Sequence, residues 1–160
     1  KSNSLGVVSN KEIIERKNID KKFNFFNEFL KPNVDVNILI EKSQPNLYDC
    51  KRIFKKEFAI EFYINSNEFF LRTDKLENFE EYDYFDYTCL TLKDLKEGNS
   101  FAGGMTTLAK NYVFRNGIEF YSINFKSKDD ELGMGIPVWC YINDRWVLLP
   151  KPWRMIKSIR

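Results

Sequence analysis

The densest group of chemically active side chains is a segment of alternating acidic and aromatic residues, ENFEEYDYFDY, at positions 77–87. Carboxylates at this density can steer a basic partner and pair with its Lys and Arg side chains, and tyrosines supply rigid amphipathic contact area. We therefore predict a partner-binding site here. Its candidate residues are Glu80, Glu81, Tyr82, Asp83, Tyr84 and Asp86.

The same segment has a structural interpretation, in which it forms a solvated loop or a half-buried sheet edge with its aromatic rings packed inward. A calcium site fits poorly, because the segment lacks the spacing and the central glycine of an EF-hand loop. Carboxylate pairs for glycoside hydrolysis need no histidine and can be drawn from this segment or from Asp129, Asp130 and Glu131. The second group lies beside Gly133 and Gly135, however, which predicts an exposed hairpin loop instead.

Histidine is absent from all 160 residues. Ser-His-Asp and Cys-His hydrolysis, and zinc sites built on imidazole, are thereby excluded. Cys50, Cys89 and Cys140 are too widely spaced for a CxxC motif, and no neighbouring group is visible that would lower a thiol pKa. We expect buried thiols rather than a disulfide. We also expect no metal, no cofactor and no enzymatic activity.

The charge balance is nearly neutral, with 25 Lys and Arg against 23 Asp and Glu, a net charge of +2. This net charge is too small to indicate a nucleic acid or an anionic membrane as the partner, so any charged surface must be local, and we expect no nucleic-acid partner. Hydrophobic residues make up 43% of the chain and aromatic residues 16%, which is enough for a core without disulfides or metal. No apolar run approaches the roughly 20 residues that cross a bilayer. We predict one domain over residues 9–160, preceded by a flexible segment at 1–8.

Three further features have both a structural and a functional interpretation. The basic C-terminus, KPWRMIKSIR, is predicted to pack Trp153 onto the domain, with anion binding as the alternative. Residues 101–105, FAGGM, lack the motif of a phosphate or dinucleotide loop and are predicted to form a turn. Trp139 and Trp146 are expected in the core or on a sheet face, with the mouth of a ligand site as the alternative.

Apolar spacing predicts a long first helix over residues 9–30, with Ser9 as its N-cap. The apolar face of this helix, led by Phe23 and Phe26, should lie on a sheet. Alternating polarity then predicts a strand at 34–40.

Period-two polarity and turn dipeptides predict the rest of the elements. These are a helix at 45–54; a hairpin of 58–64 and 68–73 that turns at 65–67; a strand at 87–92 with a helical turn ending at Gly98; a hairpin of 112–115 and 118–125 that turns at Asn116-Gly117; and a hairpin of 137–142 and 145–149 that turns at Asn143-Asp144. Together they predict an α+β domain, in which the N-terminal amphipathic helix packs on a curved, mostly antiparallel sheet built from hairpins.

This order of elements, ending in GIPVWCYINDRWVLLPKPW, resembles small bacterial cone-type domains of the nuclear-transport-factor-like and cystatin-like kinds, which some immunity proteins use. The resemblance covers the C-terminal third as a pattern, and the strand predicted at 34–40 departs from the usual order of those folds. It implies an architecture and carries over no functional residue.

We therefore expect a non-enzymatic protein-binding domain, a bacterial inhibitor or immunity protein that neutralises a toxin with a basic surface through the acidic aromatic segment. The alternative is a cell-envelope lipoprotein or small-ligand-binding domain with an aromatic pocket between helix and sheet. The expected location is the bacterial cytoplasm or periplasm, with a lipid anchor if a signal peptide precedes Lys1.

Overall fold

A four-stranded antiparallel sheet organises the part of the chain that the computed structural model describes, which is residues 21–72, 76–129 and 133–159. Together with seven α-helices in those residues it gives an α+β fold, as predicted. The strands are neighbours in chain order: β1 Tyr84–Thr91, β2 Glu119–Lys126, β3 Gly133–Ile142 and β4 Arg145–Leu148. The helices are α1 Asn24–Asn27, α2 Val36–Lys42, α3 Leu47–Ile53, α4 Lys56–Leu71, α5 Leu92–Lys96, α6 Gly103–Lys110 and α7 Pro152–Met155.

The two faces of the sheet carry different cores, because successive side chains of a strand point to opposite sides. One face is aromatic, with Tyr121 and Trp139, and packs against α1 and α2. The other face, with Val138 and Cys140, packs against helices α3 to α6. The sheet is therefore a middle layer between two groups of helices.

The predicted N-terminal helix is confirmed over residues 21–30, where α1 is flanked by the 3-10 turns Lys21–Phe23 and Glu28–Leu30. Phe23 and Phe26 are buried against the aromatic face, and the Phe23 ring stacks on that of Tyr87 with centroids 4.3 Å apart. The remainder of that prediction, with the Ser9 cap, and the predicted flexible segment 1–8 lie outside the described residues.

The strand predicted at 34–40 is wrong, because these residues lead into and form α2. Asp35 accepts a hydrogen bond from the backbone N–H of Asn37 at 3.0 Å and so caps the helix. Helical spacing then buries Leu39 and leaves Ile38 49% exposed. Over so short a run the apolar residues fit both the helical and the strand period.

The hairpin predicted at 58–73 is also wrong, because Lys56–Leu71 is one continuous helix that includes the predicted turn. Phe62 is fully buried, whereas Ile60 and Ile64, which a strand would place on the same side, are exposed. A helix with apolar residues on two sides mimics the alternation of a strand.

The hairpin predicted around Asn116-Gly117 is wrong in its first half, since residues 112–115 form no strand beyond an isolated bridge between Phe114 and Phe54. Its second half is confirmed as β2, which pairs with β1 and β3 instead. The turn predicted at 101–105 is wrong as well, because α6 begins within it.

The remaining predicted elements are confirmed with shifted bounds, as α3, β1, α5 and the hairpin of β3 and β4. The hairpin turns at Asn143 and Asp144, whose φ angles of 53° and 62° are those that a two-residue turn requires.

The predicted burial of the cysteines and tryptophans is confirmed. Cys50, Cys89 and Cys140 are buried free thiols, and Trp139 and Trp146 are core residues. Trp153 packs on the domain beside Gly104 of α6, as expected for the C-terminal segment. Within the described ranges, no helix has the length and apolar character that crossing a membrane requires.

Candidate functional site

The acidic aromatic segment begins with a tight turn whose tip carries two carboxylates. The backbone N–H of Tyr82 donates to the carbonyl of Phe79 at 3.0 Å, which places Glu80 and Glu81 at the tip, where both are exposed. Phe79 is buried, with its ring centroid 5.0 Å from that of Phe125 on β2. An aromatic anchor below the turn therefore presents the acidic residues to solvent.

Backbone hydrogen bonds hold both sides of this turn. The Asp83 N–H donates to the carbonyl of Lys126 at 2.8 Å, and the Lys128 N–H donates to Asp83 Oδ2 at 2.8 Å. On the other side, the Asn33 N–H donates to Glu80 Oε1 at 3.2 Å. The Asp83 and Glu80 carboxylates are thus attached to the segment after β2 and to the segment before α2, so that less side-chain entropy is lost on binding.

The aromatic residues of the segment divide between core and surface. Phe79, Phe85 and Tyr87 are buried, as the structural interpretation expects, whereas Tyr82 and Tyr84 are half-buried. Burial and the neighbouring Glu81 charge raise the pKa of Tyr82, so its hydroxyl remains a neutral hydrogen-bonding group.

Asp86 differs from the other predicted site residues because it is only 5% exposed. Lys126 Nζ lies 2.7 Å from its Oδ2, and Asn124 Nδ2 donates to its Oδ1 at 3.1 Å. That hydrogen bond raises the pKa of the Lys126 ammonium. Asp86 lies within β1, on the side opposite Phe85, and both of its oxygens are satisfied internally. Of the six predicted partner-binding residues, Asp86 is thus the one whose carboxylate is buried and bound within the domain.

The exposed carboxylates that remain are called here the acidic surface: Glu77, Glu80, Glu81 and Asp83. Among the described residues, no Lys or Arg side chain forms a salt bridge with any of the four. The buried carboxylates Asp49 and Asp86, by contrast, each pair with a cation. The charge of the acidic surface is therefore not neutralised within the described structure.

An apolar groove of about 180 Å³ adjoins the acidic surface. Ile40 of α2, Phe69 and Phe70 at the end of α4, and Leu76 give it apolar walls, and the charged residues Glu41 and Arg72 lie at its rim. Asn37 fixes its edge, since its side chain donates to the Leu76 carbonyl at 3.0 Å and accepts from the Leu76 N–H at 2.9 Å. Leu76 directly precedes Glu77, so the groove and the acidic surface are continuous.

Sequence reasoning missed this groove because it predicted strands at both of its walls. The sequence signal for the groove is that α4 carries apolar residues on two sides. A helix needs only one apolar side to pack on the core, so the second side is left to line a groove.

Aromatic side chains fill the space in which the alternative prediction placed a ligand pocket. The Phe26 ring centroid lies 5.0 Å from that of Trp139 and 4.8 Å from that of Trp146. Lys22 Nζ lies 5.3 Å from the ring centroids of Tyr121 and Tyr141. Trp139 and Trp146 thus pack against core side chains at the place where the alternative prediction put the mouth of a ligand site.

The remaining chemically active groups are dispersed. Burial raises the pKa of Cys50 and of Cys89 to about 12, and that of Cys140 well above its ordinary value. No group of three or more acidic or thiol side chains in the described ranges is placed to hold a metal ion. Asp129 is exposed, and Asp130 and Glu131 lie outside those ranges.

Comparisons with protein-family models, with curated proteins and with solved structures find no match to this chain. The resemblance to cone-type domains stays a prediction.

Proposed function

We propose that this chain is a non-enzymatic protein-binding domain, which engages a partner protein through the acidic surface and the adjoining apolar groove. The partner is expected to present basic side chains around an apolar segment. The observation that carries the proposal is the continuity of four unneutralised carboxylates, two of them held by backbone N–H groups, with an open apolar groove.

The charges supply steering and specificity. Exposed carboxylates attract a basic surface over about one Debye length, roughly 8–10 Å, and raise the rate of association. Because the turn at Glu80 and Glu81 is anchored through Phe79 and Asn33, little order has to be gained on binding.

The groove supplies the apolar contact that charges alone do not provide. Leu76, which lines the groove, is 42% exposed. An apolar centre with a charged rim is the usual anatomy of a protein interface. Together, the two parts favour a partner segment that places aliphatic or aromatic side chains between lysines or arginines.

A role without catalysis is supported by the state of the reactive groups. The pKa values of all three thiols are raised, so the cysteines are protonated near neutral pH and poor nucleophiles. The ammonium of Lys126 is paired with Asp86, and its raised pKa opposes a role as a general base.

Within this proposal the chain acts as an inhibitor of the immunity-protein kind. A row of carboxylates can occupy the basic groove in which an enzyme binds an anionic substrate, and so block that groove without chemistry. The partner is then a toxin enzyme, whose activity should fall when the chain is present at equal concentration.

Capture of partners from a lysate of the source organism, with matched variants, tests this proposal. The test variant is E80Q/E81Q/D83N, and the control is E57Q/E97Q/D144N, which removes the same charges from exposed positions elsewhere. We expect the wild type and the control to retain one protein in equal molar amount and the test variant to lose it. Equal retention by all three chains, or no stoichiometric protein, would contradict the proposal.

A further inference from the structure

A second charged feature borders the apolar groove, with which it shares Phe69 and Arg72, and lies between α4 and the C-terminal segment 150–157. It is a cleft of about 590 Å³, within the range of roughly 300–1,000 Å³ that is usual for small-molecule sites. Ile64 and Phe69 of α4 and Met155 of α7 give it an apolar wall.

Cationic side chains dominate the rim of this cleft. Lys151, Arg154 and Lys157 line it and are exposed, and within the described residues none of the three forms a salt bridge. Arg72 adds a fourth cation, and Glu68 is the one carboxylate among the described residues that line the cleft. The chain as a whole has a net charge of only +2, so this positive charge is local.

Hydrogen bonds fix the cationic segment on α4. Asn65 Nδ2 donates to the Met155 carbonyl at 2.7 Å. Glu61 Oε2 accepts from the N–H groups of Lys157 and Ser158 at 2.7 and 3.1 Å, and Glu61 Oε1 accepts from the Ser158 hydroxyl. Both oxygens of the nearby Glu61 carboxylate therefore anchor the segment.

The backbone conformation at Lys151 also indicates that the cationic segment is held in one position. Its φ and ψ are 41° and 63°, in the left-handed region that non-glycine residues rarely adopt, and the prolines on either side are buried. Strain of this kind is retained where the surrounding structure over-determines it, and it clusters at active sites, ligand clamps and switch regions. The buried prolines fix the point at which this side chain leaves the backbone.

We propose that the cleft binds an organic phosphate, with the phosphate among Lys151, Arg154 and Lys157 and the organic part against the apolar wall. A phosphate offers several strong acceptor oxygens to several donors at once, and the planar guanidinium of Arg154 suits two of them. The source of the phosphate is either a soluble phosphate ester or the headgroup of an anionic phospholipid.

Isothermal titration with phenyl phosphate, at about 150 mM salt, tests the soluble source. Vesicles of phosphatidylcholine with phosphatidic acid test the lipid source. The R154Q/K157Q variant should weaken binding by about tenfold, since each lost cation removes a charge-assisted hydrogen bond. The R52Q/K110Q control removes one exposed Arg and one exposed Lys elsewhere, and it should bind like the wild type.

Two further variants separate binding from misfolding. K151G removes a cation at a backbone conformation that glycine adopts readily, so it should weaken binding without loss of stability. E68Q removes the opposing carboxylate and should tighten binding by a few fold, a gain that a misfolded chain does not produce. Binding of either probe with this pattern supports the proposal. Absence of saturable binding to both probes, or equal effects of the test and control variants, would overturn it.

Discussion

Lys126 and Asp86 are diagonal neighbours on β2 and β1, with Nζ and Oδ2 2.7 Å apart. This pair distinguishes the structural carboxylate of the acidic aromatic segment from the exposed ones. Asp86 satisfies groups inside the domain, whereas Glu80 and Glu81 point to solvent. The two kinds of carboxylate should therefore respond differently to substitution.

Replacement of Asp86 should reduce stability without a direct effect on partner binding. D86A leaves the Lys126 ammonium and the Asn124 amide without their acceptor, at a cost of about 1–3 kcal/mol in the free energy of unfolding. Urea denaturation measures this cost. The control E80Q/E81Q should stay within about 0.5 kcal/mol of the wild type. An equal loss in both variants would mean that the exposed carboxylates also support the fold.

Asp49 should be the more critical structural acid. It is 1% exposed, and it accepts from Arg145 Nη1, from Asn143 Nδ2 and from the Asn46 N–H, so it joins α3 to the turn between β3 and β4. D49A should lower the free energy of unfolding by about 3 kcal/mol, because it removes the N3 half of the capping box that begins at Asn46 and leaves the Arg145 guanidinium without its partner. D49N keeps an acceptor for the Asn46 N–H and should lose clearly less of the free energy of unfolding. Equal denaturation midpoints for the two variants would argue against the ion pair.

Adjacent glycines at the start of α6 provide a matched test of packing. A Cβ at Gly104 would overlap the Trp153 side chain, whereas a Cβ at Gly103 would meet no atom within 4 Å. G104A should therefore destabilise the domain by about 1–3 kcal/mol and displace Trp153. G103A should be neutral or slightly stabilising. Thermal unfolding and tryptophan fluorescence measure both effects, and equal behaviour of the two variants would contradict the packing of Trp153 on this helix.

The buried thiols predict how stability depends on pH. Burial, with a smaller contribution from the Asp49 charge, raises the pKa of Cys50 to about 12, whereas an unfolded thiol titrates near pH 8.5–9. The unfolded chain therefore loses this proton first as pH rises. The stabilising effect is complete below about pH 8.5 and is lost progressively up to about pH 12, with a slope of about 1.4 kcal/mol per pH unit for each such thiol.

Denaturation of the wild type and of C50A between pH 8 and 11 measures this contribution. The difference in free energy of unfolding between the two proteins should narrow as pH rises, because C50A lacks one titrating thiol. A difference that stays constant with pH would show that Cys50 ionises equally easily in the folded and unfolded chains.

Local sequence signals predicted the fold well where turn chemistry and period agree. The Asn143-Asp144 turn identified the last hairpin, because two residues that tolerate positive φ stand between two apolar runs. The burial of Phe23 and Phe26 followed from helical spacing. Both predictions depend on residues that are near each other in the chain.

The sequence predictions failed where an apolar pattern fits both the helical and the strand period, because tertiary packing then decides which element forms. Ile60, Phe62 and Ile64 alternate as in a strand, but Phe62 alone is buried because the neighbouring helices and the sheet accept one side of α4. The candidate site was predicted only in part for the same reason. The acidic turn is local in sequence, whereas its apolar groove joins α2 to the end of α4 and depends on how those helices pack.

The rate of association between this chain and its captured partner, measured by stopped flow as ionic strength is raised, tests the central claim most directly. If the acidic surface steers a basic partner, E80Q/E81Q/D83N should associate about tenfold more slowly than the E57Q/E97Q/D144N control at low salt, and the two rates should converge at high salt. Equal rates and equal salt dependence for the two variants would contradict the claim and place the interface elsewhere on the molecule.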